Sequence, residues 1–143
     1  MTEPRGGLST HVLDTALGVP GRNIKLRLYR ISGEGQRELL CQQVTNNDGR
    51  TDMPLLTSTT TSSAESGTEL ANTELETLEV ADFQQGTYEL AFEVADYFAH
   101  AHPDAPQPPF LDEVTLRFTI ASDSHYHVPL LLSPWSYSTY RGS

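Results

Sequence analysis

Histidines carry most of the chemistry that this sequence offers. His125 and His127 flank Tyr126 in a strand-like run, so both imidazoles are predicted to lie on one face of a sheet. Two such imidazoles can form an acid–base pair, bind a metal ion or serve a structural role. With His11 they would match a three-histidine zinc set, although no Asp or Glu follows at a spacing that would orient them. The residues by themselves leave these three interpretations open.

His11 and Arg50 are two further candidates. The run 8–14 alternates, which puts Ser9, His11 and Leu13 on one face and the intervening residues on the other. Arg50 follows a turn at 47–49 and is one of few cations in an acidic chain. Each of these signals is weak alone.

The last residues printed form a chemically dense tail. Tyr140, Arg141 and Ser143 bring a phenol, a guanidinium and a hydroxyl to a position where chains normally fray. The apolar run 126–137 directly precedes them. We therefore expect the tail to leave the core already ordered and to reach into a site.

The elements that must position these residues are mostly strands. Apolar and polar residues alternate with a period of two at 23–31, 87–94 and 114–120, and a further strand-like run spans 39–44. Turn residues rich in Gly, Asn and Asp separate these runs. The pattern predicts an all-β sandwich. One short helix is predicted at 96–101, ended by His102–Pro103, and both His100 and His102 are expected to be solvent-exposed.

The region from about 57 to 80 interrupts this pattern. It begins rich in Ser and Thr, continues acidic, and has too little apolar area to offset the entropy of ordering it. We predict a flexible insertion in a single domain that spans 1–143. A marginal helical turn over 68–80 remains an open alternative.

Charge and hydropathy exclude several functions. The net charge of −10 argues against nucleic-acid binding, which needs clustered Lys and Arg. No apolar run approaches the roughly 18 residues that span a bilayer, and the first residues lack the apolar segment of a secretory signal. We expect a cytoplasmic protein with no membrane role. Cys41, the single cysteine, is predicted to be a buried and inert thiol.

Together, these residues resemble the 5-hydroxyisourate hydrolases, the enzyme branch of the transthyretin family. The final Tyr-Arg-Gly-Ser is the most specific feature, because the transthyretin hormone carriers lack it. The resemblance covers nearly the whole chain in four blocks: Leu8–Asp14 with Gly18–Gly21; Thr45–Thr51; Gly86–Tyr88 through Tyr97–Phe98; and His125–Pro134 running into Tyr137–Ser143.

The resemblance implies a transthyretin-like, eight-stranded two-sheet sandwich with one short helix. It implies a homotetramer, a dimer of dimers, with sites in grooves between subunits. The catalytic positions fall on His11, Arg50 and His127, and the substrate contacts on His11, Arg50, Tyr140 and Ser143. No metal ion or other cofactor is expected.

The implied reaction opens the six-membered ring of 5-hydroxyisourate at the N1–C6 amide, in urate degradation. Such a step needs a base for water, a donor for the oxyanion, and groups that hold a flat heterocycle. His127 or the His11–His127 pair can supply the base, Arg50 the positive charge, and Tyr140 with Ser143 the positioning. Which histidine takes the proton is not decided, and Ser143 as a nucleophile is disfavoured. The alternative is a transthyretin-like carrier of a small ligand without catalysis.

Overall fold

The structure is a computed structural model that describes residues 6–58 and 80–142. Its one described helix is α1 (Ala95–Ala101). Its strands are β1 (Gly7–Ser9), β2 (Val12–Asp14), β3 (Val19–Pro20), β4 (Lys25–Ile31), β5 (Arg37–Val44), β6 (Leu56–Thr57), β7 (Ala81–Asp82), β8 (Gly86–Glu93), β9 (Glu113–Ile120), β10 (His125–His127), β11 (Leu130–Leu132) and β12 (Tyr137–Ser138). The predicted insertion and its possible helical turn lie almost wholly at 59–79, outside the described residues.

The first sheet contains the longest strands. Its order is β5-β4-β8-β9, and every neighbouring pair is antiparallel. These four strands correspond to the four runs with strand-like patterns, so that prediction is confirmed. Alternation is clearest in β9, where Val114, Leu116 and Ile120 are buried, Phe118 packs against the core on the same face, and Thr115, Arg117 and Thr119 are exposed.

The second sheet contains two strands that bend in the middle. β1 pairs with β10 and β2 with β11, both in parallel, and β6 and β12 extend the sheet on either side. At the bend, Val128 N donates to Ser9 O at 2.9 Å and Leu130 N donates to His11 O at 2.8 Å. If β1–β2 and β10–β11 are each counted as one bent strand, ten strands remain in the described residues, of which β3, β6, β7 and β12 have only two residues each.

One apolar core joins the two sheets. Leu8, Val12 and Leu130 come from the second sheet, and Leu28 and Phe92 from the first, and all five are fully buried in the same cluster. The predicted two-sheet, transthyretin-like sandwich is therefore confirmed. Cys41 also lies in this core, where burial raises the pKa of its thiol to about 12. Among the described residues, no helix is long and apolar enough to cross a membrane.

A buried carboxylate fastens the helix to the second sheet. Asp14 is fully buried, and its Oδ2 accepts a hydrogen bond from Tyr97 Oη at 2.6 Å and lies 2.7 Å from His102 Nε2. Burial alone would raise the pKa of Asp14, but bonds from Tyr97, His102 and the Leu17 backbone outweigh it and hold that pKa below its usual range. The expectation that His102 is solvent-exposed was wrong, since only 11% of its side chain is accessible.

Candidate active site

His11 and Arg50 are brought together by the backbone. His11 lies in the bend between β1 and β2, and forms an isolated antiparallel bridge with Arg50. Val12 N donates to Gly49 O at 2.8 Å, which fixes the chain on the other side of the same bridge. The pairing places a half-buried imidazole beside an exposed guanidinium, although 39 positions of sequence separate them.

A tight turn holds Arg50 in this place. Asn46 Oδ1 accepts hydrogen bonds from Asp48 N at 2.8 Å and Arg50 N at 3.2 Å, the side-chain-to-backbone pattern that favours Asn in turns. Gly49 has a φ of +79°, and a Cβ there would lie 2.4 Å from Val12 O. Both the backbone conformation and the close approach require glycine.

His127 enters the site from β10. Strand pairing aligns Gly7 with His125 and Ser9 with His127, so the two imidazoles and the serine share one face of the sheet. The predicted placement is confirmed, with Tyr126 buried on the opposite face. Ser9 Oγ lies 2.9 Å from His127 Nδ1 and 3.0 Å from His125 Nε2.

The surroundings of His127 favour its neutral form. Burial lowers the pKa of His127, and electrostatic interactions with Arg50, His11 and His125 lower it further. An imidazole that stays neutral below the usual histidine pKa of about 6.5 is available as a base near neutral pH. Because Arg50 and His11 both act on the pKa of His127, the three side chains lie in the same local site.

The tail is ordered against the same strand. Gly142 N donates to His127 O at 2.7 Å, and His127 N donates to Gly142 O at 3.3 Å. The Arg141 guanidinium stacks 4.0 Å from the centre of the Tyr126 ring, and Thr139 Oγ1 donates to Pro129 O at 2.7 Å. The expected ordered tail is therefore present up to Gly142. A Cβ on Gly142 would come within 3.1 Å of His127 Cδ2, so this glycine lies directly against the imidazole.

Tyr140 lies in a neighbouring groove. Its side chain is 56% exposed, and it borders a groove of about 370 Å³ with Thr115–Thr119 of β9, together with Tyr126 and Val128. The residues that line this groove do not include His11, Arg50 or His127. Contact of Tyr140 with the reacting groups therefore stays a prediction, and Ser143 lies outside the described residues.

Ser9 is the functional candidate that was missed. The alternation of 8–14 already placed Ser9 on the face of His11, and β10 adds two histidines to that face. The sequence could not predict the parallel pairing of β1 with β10, which lie more than 100 residues apart. Ser9 Oγ occupies the space between the two imidazoles. Within 6–58 and 80–142, no group of three or more His, Cys, Asp or Glu is placed to hold a metal ion.

Comparison with known proteins identifies the family. A family model described as "HIUase/Transthyretin family" matches residues 8–142. The chain belongs to this family. All the described strands except the start of β1 fall within the matched range, as do His11, Arg50 and His127.

Several members of the HIUase/transthyretin family are similar over nearly their whole length. The 5-hydroxyisourate hydrolase of Pseudomonas aeruginosa is 47% identical, covering 99% of this chain and 94% of that protein. That of Deinococcus radiodurans is 49% identical and covers 96% of each. 5-Hydroxyisourate hydrolase 2 of Rhizobium meliloti is 50% identical, covering 96% of this chain and 97% of that protein.

Solved structures agree with the family assignment. The 5-hydroxyisourate hydrolase of Klebsiella pneumoniae superposes with a TM-score of 0.65 at 29% identity, covering 96% of this chain and 99% of that one. An (S)-allantoin synthase superposes with a TM-score of 0.75 at 39% identity over 99% of this chain, which spans only 45% of the synthase chain. A sea bream transthyretin, at 22% identity and a TM-score of 0.66, shares the fold.

Proposed function

We propose that this protein hydrolyses 5-hydroxyisourate to 2-oxo-4-hydroxy-4-carboxy-5-ureidoimidazoline, a step of urate degradation. The observation that carries the proposal is the gathering of His11, Arg50 and His127 near the bend of the second sheet, where burial and Arg50 favour a neutral His127. The similarity to three 5-hydroxyisourate hydrolases, at 47%, 49% and 50% identity, supports the same substrate.

In this reaction His127 is the better candidate for the general base. Its lowered pKa favours the neutral ring, and in the tautomer whose Nδ1–H donates to Ser9 Oγ, Nε2 carries no proton. Nε2 can then take a proton from the water that attacks C6. His11, which pairs with Arg50, is placed to bind the ring or to share the proton transfer.

Arg50 is proposed to stabilise negative charge. Its side chain forms no hydrogen bond or ion pair with another residue in 6–58 or 80–142, so the guanidinium is available to a ligand. A planar cation of this kind can bind the carbonyl oxygens of a flat ring and the oxyanion that forms during attack. Tyr140 and Ser143 are proposed to orient the ring by hydrogen bonds.

Assembly is proposed to complete the site. β9 is the outer strand of its sheet and pairs only with β8 in the described chain. Thr139, Tyr140 and Arg141 border the groove beside it; Tyr140 is 56% exposed, and Trp135 and Tyr137, just before the tail, are 58% and 44% exposed. An open strand edge next to exposed aromatic side chains is typical of an interface between copies. We propose a homotetramer, a dimer of dimers, with sites at subunit interfaces and with a cytoplasmic location.

The alternative of a small-ligand carrier gains no support from the site. A carrier has no need of a neutral base beside an unpaired guanidinium, and the similarity to sea bream transthyretin extends to the fold alone. Hydrolysis and simple binding are distinguished by turnover.

The test follows decay of freshly made substrate. Uricase generates 5-hydroxyisourate, and the loss of its ultraviolet absorbance is recorded with and without the protein. We expect decay well above the spontaneous rate. His127→Ala and Arg50→Ala should each lower kcat/KM by about a hundredfold or more, the scale of losing a base or an oxyanion-stabilising group.

Two exposed residues away from the site serve as controls. His100→Ala and Arg22→Ala make the same changes of residue type outside the constellation, and should retain full activity. If the wild-type protein does not raise the rate of 5-hydroxyisourate decay above the spontaneous rate, the proposed function is wrong. Full activity of His127→Ala or Arg50→Ala removes that residue from the mechanism.

A further inference from the structure

A serine lies between the two histidines of β10. Ser9 Oγ is 2.9 Å from His127 Nδ1 and 3.0 Å from His125 Nε2, both within ordinary hydrogen-bond distance. The strand register Gly7↔His125 and Ser9↔His127 sets this arrangement, so it follows from the backbone pairing of β1 and β10.

A hydroxyl has one proton to donate, so the chain of bonds has a direction. In one arrangement His127 Nδ1–H donates to Oγ, and Oγ–H donates to His125 Nε2. His127 Nε2 then carries no proton and can act as a base. In the reverse arrangement His125 Nε2–H donates to Oγ, Oγ–H donates to His127 Nδ1, and His127 Nε2 carries a proton that it can donate. When His127 Nε2 takes up a proton from water, moving the Nδ1 proton to Oγ and the Oγ proton to His125 Nε2 leaves His127 neutral and converts the base into the acid, with the positive charge on His125.

The two ends of this chain differ in how well they tolerate charge. His127 is half-buried, and it faces Arg50 and His11 as well as His125, so a positive charge on its ring is unfavourable. His125 is exposed to solvent, with the backbone oxygen of its own peptide near the Arg141 guanidinium and its ring against Gly7. Solvent can stabilise an imidazolium at His125 far better than the site can at His127.

From this geometry, and resting on the proposed hydrolysis, we propose that Ser9 and His125 form a proton relay that moves charge away from His127 during the reaction. Ser9 and His125 act through His127 and are positioning residues. His127 remains the group that touches the water and the leaving nitrogen.

The steps balance in atoms and protons. In the first, water forms the new O–C6 bond and gives a proton to His127 Nε2, while the Nδ1 proton moves to Ser9 Oγ and the Oγ proton moves to His125 Nε2. The positive charge now lies on His125, and His127 is neutral with its proton on Nε2. In the second, the C6–N1 bond breaks, N1 takes the Nε2 proton, and the two relay protons return. The carboxylic acid formed at C6 then ionises to solvent.

The test compares variants that keep the hydrogen bonds with variants that keep the proton transfer. Ser9→Ala removes the bridge, and Ser9→Thr retains a hydroxyl at the same position. His125→Gln retains polar contact with Ser9 but cannot accept a proton. We expect Ser9→Ala and His125→Gln to lower kcat by about tenfold with little change in KM, and Ser9→Thr to restore most of kcat.

The double variant Ser9→Ala/His125→Gln should be no slower than either single variant, because either substitution alone already abolishes the relay. A plot of kcat against the fraction of D2O in the solvent should be curved for the wild type, where several protons move together. It should be linear for Ser9→Ala. Thermal melts of each variant identify losses caused by unfolding. His100→Gln is the matched control and should be unchanged.

The result that overturns the relay differs from the one that overturns the proposed function. If the wild type opens 5-hydroxyisourate and His125→Gln keeps full kcat, His125 takes no proton and the relay is wrong. A linear isotope dependence in the wild type, or additive losses in the double variant, also contradicts it. If the wild type has no activity, the proposed hydrolysis fails first.

Discussion

At the level of single residues, the protonation state of His127 is set by burial and by its charged and polar neighbours. His127 is half-buried and lies near the Arg50 guanidinium, so a protonated ring would lose solvent and face a second positive charge. The same neighbours that attract an electron-rich substrate therefore keep the base neutral. A single histidine on an open strand would have neither property.

This electrostatic account predicts a titration. The pKa of His127, measured by NMR from its ring signals, should lie below the usual value of about 6.5. Arg50→Gln removes a positive neighbour and should move the pKa upward, though burial will still hold it below that value. The acid limb of kcat/KM should follow, since activity is lost as pH falls through the pKa of the base.

Arg22→Gln is the control for that titration, because it removes a cation outside the constellation. It should leave the His127 signals unmoved. A His127 pKa that does not rise in Arg50→Gln would mean that burial alone sets it, and that Arg50 does not act on this ring.

The sequence could predict some of these residues and not others. Alternation alone put His125 and His127 on one face, and the resemblance put His11 and Arg50 beside them. The burial of His102 was missed because its partner, Asp14, lies 88 positions away and pairs with it only through the docking of α1. Contacts of this kind depend on tertiary packing, which local sequence patterns do not predict.

At the scale of elements, the turn before Arg50 has the most specific requirements. Gly49 combines a φ of +79° with a close approach in which an added Cβ would lie 2.4 Å from Val12 O and collide with it. The turn must pass close to β2 for Arg50 to pair with His11. The backbone here is therefore part of the site as much as the side chains are.

A pair of glycine substitutions separates these two requirements. Gly18 also has positive φ, at +72°, but a Cβ there would meet nothing within 4 Å. Gly18→Ala should lower the free energy of unfolding by about 1 kcal/mol from backbone strain alone. Gly49→Ala should lower it by roughly 2–4 kcal/mol because strain and collision add, and should also lower kcat/KM as Arg50 moves.

Urea denaturation of both variants measures the difference. Equal losses of stability in the two variants would show that the backbone near Val12 O can move away from the Cβ that Gly49→Ala adds, with no further loss of unfolding free energy. Wild-type activity in Gly49→Ala would show that Arg50 need not be held by this turn.

The long strands were the part of the fold that the sequence predicted well. The runs at 23–31, 87–94 and 114–120 have one buried face, so their period of two is clear, and the observed strands agree to within two residues at each end. The bends in β1–β2 and β10–β11 were not predicted, because they arise where paired strands change direction together. The single-domain organisation and the flexible insertion stay predictions.

At the scale of the whole molecule, the outer edge of β9 and the tail lie together. Residues of both border the groove that contains Tyr140. If copies of the chain associate there, the exposed aromatic residues of the tail become covered and Tyr140 can meet the site of a neighbouring subunit. Assembly and activity should then be lost together.

A charge substitution on the edge strand tests this association. Thr115 and Thr119 are exposed on β9, and Thr115→Lys/Thr119→Lys places like charges opposite each other across a two-fold interface. We expect the wild type to have the mass of a tetramer by light scattering, and the variant to have a smaller mass and at least about tenfold lower activity. A C-terminal affinity tag should impair activity more than an N-terminal one.

Gln36→Lys provides the control, since it adds an exposed charge just before β5, at the opposite edge of the same sheet. It should keep the wild-type mass. A monomeric wild type with full activity would contradict the assembly, and equal activity of the two tagged proteins would reduce the tail to a family marker.

The parallel pairing of β1 with β10 has a consequence for the order in which the molecule forms. Ser9 meets His125 and His127 across 116 and 118 positions of sequence, so these contacts close one of the longest loops in the chain. Long-range parallel pairs form late, because the entropy of closing the loop must be overcome before any contact is gained. In the first sheet, β4–β5 and β8–β9 have much shorter loops to close, and β4–β8 an intermediate one, with Leu28 opposite Leu90. Recovery of turnover after dilution from denaturant therefore reports the final docking of the two ends of the fold, after most of the strand structure has already returned.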